Sequence, residues 1–138
     1  MRIAVLQAVC AVNGLGMFGL GVYGLVAPLA AVRWMAAIEV PFNPDVVSLI
    51  HMHVATDLGL GVGFLLAAWR PHTSFAAFVL CLMANVSHGL VHVVELAQGR
   101  HGWEHHLAIT ALVVVSAVLA ALYPWGPAWR HFAGDRAA

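Results

Sequence analysis

Nine histidines and six acidic residues stand in this 138-residue chain, and most of the histidines fall into short groups. His51, His53 and Asp57 form one group, His88, His92 and Glu95 a second, and Glu104, His105 and His106 a third. Imidazole and carboxylate together are ligand chemistry for zinc, iron, copper or manganese. On a helix, His53 and Asp57 are four residues apart and share one face. His88, His92 and Glu95, at i, i+4 and i+7, form one stripe. Helical bundles build metal centres from such facing pairs. The expected ligand set is Asp57, His88 and His92 with His53. Glu95 and one of His105 or His106 would serve as an outer ligand or orient an imidazole from behind. His51 is turned from His53 by roughly half a turn and is the weakest member. His72 and His131 read as solvated residues.

The elements that must position these groups follow from composition. The chain is 62% apolar and 9% charged, with a formal net charge of zero; its six basic residues are all arginine. A soluble domain carries about a quarter charged residues, so a water-soluble globular fold is excluded. Disorder is excluded as well, because it requires low hydrophobicity. No basic stripe exists that would mark a nucleic-acid partner. One all-α integral membrane domain over 1–138 remains, with the bilayer as its first partner and the bacterial inner (cytoplasmic) membrane as its expected location.

A helix needs about 20 apolar residues to cross the hydrocarbon. Four stretches qualify, at about 3–27, 47–69, 74–97 and 103–123, and predict a four-helix bundle. Pro28, the Arg70-Pro71 pair and Pro124 separate them, each disfavouring helix in the residue before it. The start, MRIAVLQAVC, imitates a signal peptide, but its apolar run outlasts the ~7–15-residue core of one and reads as the first span. Trp69, Trp103, Tyr123 and Trp125 fall at the expected interfaces. Arg2, Arg70, Arg130 and Arg136 lie on one side, against Arg33 and Arg100 on the other, which predicts both termini in the cytoplasm. The outer loop 28–46 carries AAVRWMAAIEV, a candidate short interfacial helix. The tail after Pro127 reads as short, polar and frayed.

Ionisable groups inside a span cost at least ~2.5–3.5 kcal/mol each near its centre, so they face the bundle interior and need partners. With both termini inside, the second span descends as the third climbs. Asp57 and His88 then lie at one depth, roughly 14 Å below the outer ends of their helices, and His53 and His92 share a level at roughly 8–9 Å. Other polar and small residues carry structural expectations. Gly59 and Gly63 make a G-x-x-x-G pair suited to close packing in lipid. The fourth span, LAITALVVVSAVLAAL, lacks a strong polar group below its outer end and is expected to face lipid. Cys10 and Cys81 read as buried thiols, unreactive in apolar surroundings and not joined.

Two resemblances arise at these residues. HMHVATDLGLGVGFLLAAWRP, preceded by VYGLVAP, resembles the small four-helix membrane proteins grouped around DoxX. In those, a short first span ends in a proline and a polar residue near Gly-rich sequence opens the second. Some relatives of that kind accompany quinone-linked oxidoreductases, though this chain's richness in histidine departs from their pattern. The second resemblance is to the histidine boxes of membrane desaturases and hydroxylases, which hold two irons. His88-Gly-Leu-Val-His92 reads H-x-x-x-H, and His101-Gly-Trp-Glu-His105-His106 reads H-x-x-x-H-H. Those families are much longer and place their boxes at the cytoplasmic face. Here the cluster lies on the expected outer side and a third box is missing, so the resemblance implies a metal rather than desaturation.

Taken together, the residues predict a membrane-embedded protein that binds a transition-metal ion such as iron, copper or zinc. Its size suits a non-haem metal-holding subunit of a larger membrane oxidoreductase, or a small metal-dependent oxidoreductase acting as a homo-oligomer. Three alternatives use the same groups. The first is a tetrapyrrole-binding subunit with His53, or His88 and His92, on a haem iron. The second is a proton or ion path. The third is a structural accessory subunit whose polar cluster fixes packing.

Overall fold

A computed structural model describes residues 1–36, 40–99 and 103–134, with the side chains of all of these except 35, 36, 95 and 103–109. The described elements are all helices: α1 Arg2–Val26, α2 Pro28–Ala36, α3 Pro44–Trp69, α4 Phe75–Ala97, α5 Trp103–Leu122 and α6 Trp125–Phe132. Three helices are long and apolar enough to cross a membrane, over Arg2–Val26, Pro44–Trp69 and Phe75–Val94. Large apolar side chains stand bare on their outer faces, including Val12, Leu80 and Met83. Such a surface suits contact with lipid.

The proline boundaries hold, with informative shifts. α1 ends at Val26, but Pro28 at once opens α2, because proline is tolerated in a first turn, where its missing N–H is not needed. The short helix between the first two long helices therefore starts earlier than the motif expected for it. α3 begins at Pro44 rather than near Val47. Asn43 caps it by accepting a hydrogen bond from the Asp45 backbone N–H at 2.8 Å, and Pro44 takes the first helical position. The tail expected to fray after Pro127 is helical as far as Phe132, within α6, which is bent by 73° from the end of α5; 135–138 lie outside the described residues. Pro127 sits within the first turn of α6, where it does not break the helix.

α1 packs on α3, α3 on α4, α4 on α5, and α5 returns to α1. The tightest seam joins α1 and α3. A side chain at Gly14 would meet Leu65 and the Gly61 carbonyl, and one at Gly61 would meet the Phe18 backbone. Small residues thus let two backbones approach closely, as they do between helices in lipid. The expected Gly59–Gly63 pair does not act as a unit. Gly59 faces open space, while Gly63 lies against the Cys81 sulfur of α4. Successive turns of α3 serve different neighbours, so spacing within α3 did not reveal the partner.

The apolar core gathers at one end of the bundle, around Leu6, Cys10, Phe64, Phe78, Cys81, Leu119 and Tyr123. Cys10 and Cys81 are buried and free, and the Cys81 thiol donates to the Leu60 carbonyl at 3.6 Å. Tyr123 stacks on Phe78 with ring centroids 3.7 Å apart, and its hydroxyl donates to the Pro71 carbonyl at 2.8 Å. Arg2 donates to the carbonyls of Ala121 and Leu122, and the Trp125 indole N–H to that of Ala120. The last carbonyls of α5, which lack helical partners, are satisfied in this way. These contacts bring the start of α1, the α3–α4 turn and the end of α5 together. The histidine-bearing halves of α3 and α4 therefore lie toward the opposite end.

Candidate metal centre

Four of the expected site residues come together between α3 and α4. On α3, His53 and Asp57 are one turn apart, with Nε2 and Oδ2 at 3.8 Å. The Asp57 side chain is only 6% exposed, whereas that of His53 is 56% exposed. On α4, His88 and His92 turn their rings toward each other, and their Nε2 atoms are 2.8 Å apart. The two pairs meet where the His53 ring stands edge-on to His88, with centroids 5.6 Å apart and planes at 75°. Asp57, His53, His88 and His92 thus form a continuous line across the helix interface.

This line differs from the expected pairing of levels, which set His53 beside His92 and Asp57 beside His88. One helical turn is about 5.4 Å, and an imidazole is long enough to bridge part of that offset. Small side-chain rotations therefore decide which neighbours touch. Glu95, His105 and His106, expected near the same site, lie outside the described side chains. Among the described residues, no three His, Cys, Asp or Glu side chains are arranged to hold an ion together.

The His88–His92 contact is chemically specific. Between neutral rings, one Nε2–H donates and the other nitrogen accepts. The same spacing suits two ligands on one ion. Around an octahedral or square-planar ion, nitrogens about 2.0–2.1 Å from the metal and about 90° apart are separated by about 2.8–3.0 Å, whereas a tetrahedral zinc would set them about 3.3–3.4 Å apart. Asp57, one turn from His53, adds a carboxyl group to the three imidazoles. His51 is not part of the line: its Nε2 is buried without a hydrogen-bond partner among the described residues.

Two polar residues that sequence reasoning passed over lie nearby, between α4 and α5. Asn85 is 1% exposed and Ser116 5%. Neither amide atom of Asn85 nor the Ser116 hydroxyl has a hydrogen-bond partner among the described residues. Each group so buried costs about 1–3 kcal/mol. The available signal was Asn85 four residues before Gly89, a polar and a small residue on one face of an apolar span. Ser116 narrows the expectation that the fourth span faces lipid: Val113, Val114 and Val118 are exposed, but one face of α5 is covered. Ser116 is buried, as is Leu119, because α5 packs on both α4 and α1.

No family model, curated protein or solved structure matches the chain. The reading of the site therefore rests on its own chemistry.

Proposed function

We propose that the chain is an integral membrane protein that holds a transition-metal ion between α3 and α4, with α5 as a fourth span and both termini in the cytoplasm. His88 and His92 are the primary ligands, with His53 and Asp57 completing the set from α3. Glu95, His105 and His106 belong to its outer side by sequence position. The observation that carries this reading is the His88–His92 pair, two ring nitrogens at 2.8 Å with a third imidazole against them. A divalent ion is a partner that these three imidazoles and the Asp57 carboxylate would share once side-chain rotations bring them onto it. Iron, copper and zinc all suit imidazole and carboxylate ligands.

A single ion suits this geometry better than a haem on His88 and His92. Their nitrogens face each other on one helix, leaving no gap for a macrocycle between them. The reading is therefore a non-haem metal-holding subunit of a membrane oxidoreductase assembly, placed in a bacterial cytoplasmic membrane. An open coordination position would admit water or oxygen chemistry. The line Asp57–His53–His88–His92 also has the order of a proton relay, which supports a second reading in which protons pass without a metal.

Metal add-back separates the two. Protein stripped with a chelator in mild detergent is mixed with iron(II), copper, zinc or magnesium in turn, and its unfolding is followed. An ion that binds only the folded state stabilises it by about 2.7 kcal/mol at a hundred times its Kd. We expect at least one transition metal to do so and magnesium to do nothing. If no ion raises stability, and the stripped protein still conducts protons across liposomes, the relay reading replaces the metal.

A further inference from the structure

Behind the histidine face, α4 and α5 enclose a cavity of about 380 Å³, within the range of small-molecule sites. Its walls are almost wholly apolar, with Leu82, Val86, Val93 and Leu112 among them. Leu90 and Val113 at its edge are more than half exposed, so the cavity opens sideways onto the lipid-facing surface. Among the described residues only Asn85 and Ser116 break the apolar lining. Both are more than nine-tenths buried, and among the described residues none gives either side chain a hydrogen bond. Gly89 also lines the cavity, and a side chain there would only graze Val113. The polar atoms of Asn85 and Ser116 lie just behind the cavity wall, and a rotation of either side chain presents them to an occupant.

We infer that this cavity is a binding site for a neutral, lipid-soluble molecule bearing a hydroxyl group. The unmet groups define the chemistry. The amide NH₂ of Asn85 and the O–H of Ser116 donate, so they require an acceptor. The Asn85 Oδ1 accepts, so it requires a donor. A hydroxyl does both at one atom, whereas a simple carbonyl would leave Oδ1 bare. Among the described residues nothing charged lines the cavity, and an anionic or cationic head would be desolvated there without a counter-charge. The slender apolar remainder of such a molecule leaves through the side opening into the bilayer. This site is separate from the histidine line and does not depend on what that line binds.

The test uses the full chain in mild detergent and a long-chain alcohol carrying a photoreactive diazirine. We expect cross-links in peptides covering α4 and α5 around Leu82–Val93 and Leu112–Ala120. Unlabelled 1-hexadecanol should compete and hexadecane should not. Asn85→Leu should weaken labelling about tenfold, the loss expected when hydrogen bonds worth about 1.4 kcal/mol disappear, and Ser116→Ala should weaken it in the same direction. The competition is read on the unaltered protein, so it stands even if a variant folds poorly. Equal competition by hexadecane, no competition by hexadecanol, or full labelling of a folded Asn85→Leu protein would each overturn the assignment.

Discussion

Replacing His88 or His92 with alanine is expected to empty the centre of metal and to destabilise the bundle together. Loss of a group that merely orients a ligand already costs roughly 10–100-fold in metal affinity, and loss of a ligand itself should exceed that. The remaining histidines and Asp57 would then be polar groups without their common ion, costing about 1–3 kcal/mol each where buried. Metal content and unfolding, measured on the same preparation, check both halves. His72→Ala and His131→Ala are the controls, since both residues are exposed and lie in other parts of the chain. His88→Leu distinguishes ligation from packing. An apolar residue of similar size often relieves a buried polar network that is only structural. A His88→Leu protein that gains stability, or that keeps its metal, would contradict the metal centre; loss of both is the expected outcome.

The second large effect concerns the seam between α1 and α3. Gly61→Ala should destabilise the protein at the upper end of the ~1–3 kcal/mol typical of overpacking. The added carbon would stand 2.6 Å from the Phe18 backbone nitrogen and 2.9 Å from the Gly14 carbonyl oxygen. Those are backbone atoms, so relief requires α1 to move away from α3 as a body. Gly59→Ala, two residues earlier on the same helix, meets nothing within 4 Å. It should be neutral or stabilising, by up to about 0.5–1 kcal/mol, because alanine restricts the unfolded chain more than glycine does. Denaturation in mixed micelles compares the two directly. Equal stabilities would mean that the α1–α3 contact is looser than described.

The contrast between these two glycines shows where the sequence was legible. Apolar length and proline positions were enough to place α1, α3 and α4, because spanning helices need long apolar runs and prolines interrupt them. The i, i+4 rule was enough to bring His53 to Asp57 and His88 to His92, since both pairs are local. Contacts between helices were harder. Gly59 and Gly63 looked like a pair from their spacing, but Gly61 and Gly63 meet different neighbours, and α1's glycines supply the other half of the close seam. Asn85 and Ser116 escaped notice because they are neutral and isolated in apolar runs, and only the packing of α5 on α4 makes them neighbours. α6 was hidden by Pro127, which reads as a breaker unless the helix is known to start two residues earlier.

The most direct test of the metal centre is elemental analysis of the unaltered protein, purified gently in mild detergent without chelator. Iron, copper or zinc is expected in near-stoichiometric ratio to the chain, and is expected to be lost from the His88→Ala protein. Unaltered protein that is folded yet holds none of these metals above trace would contradict the proposed centre.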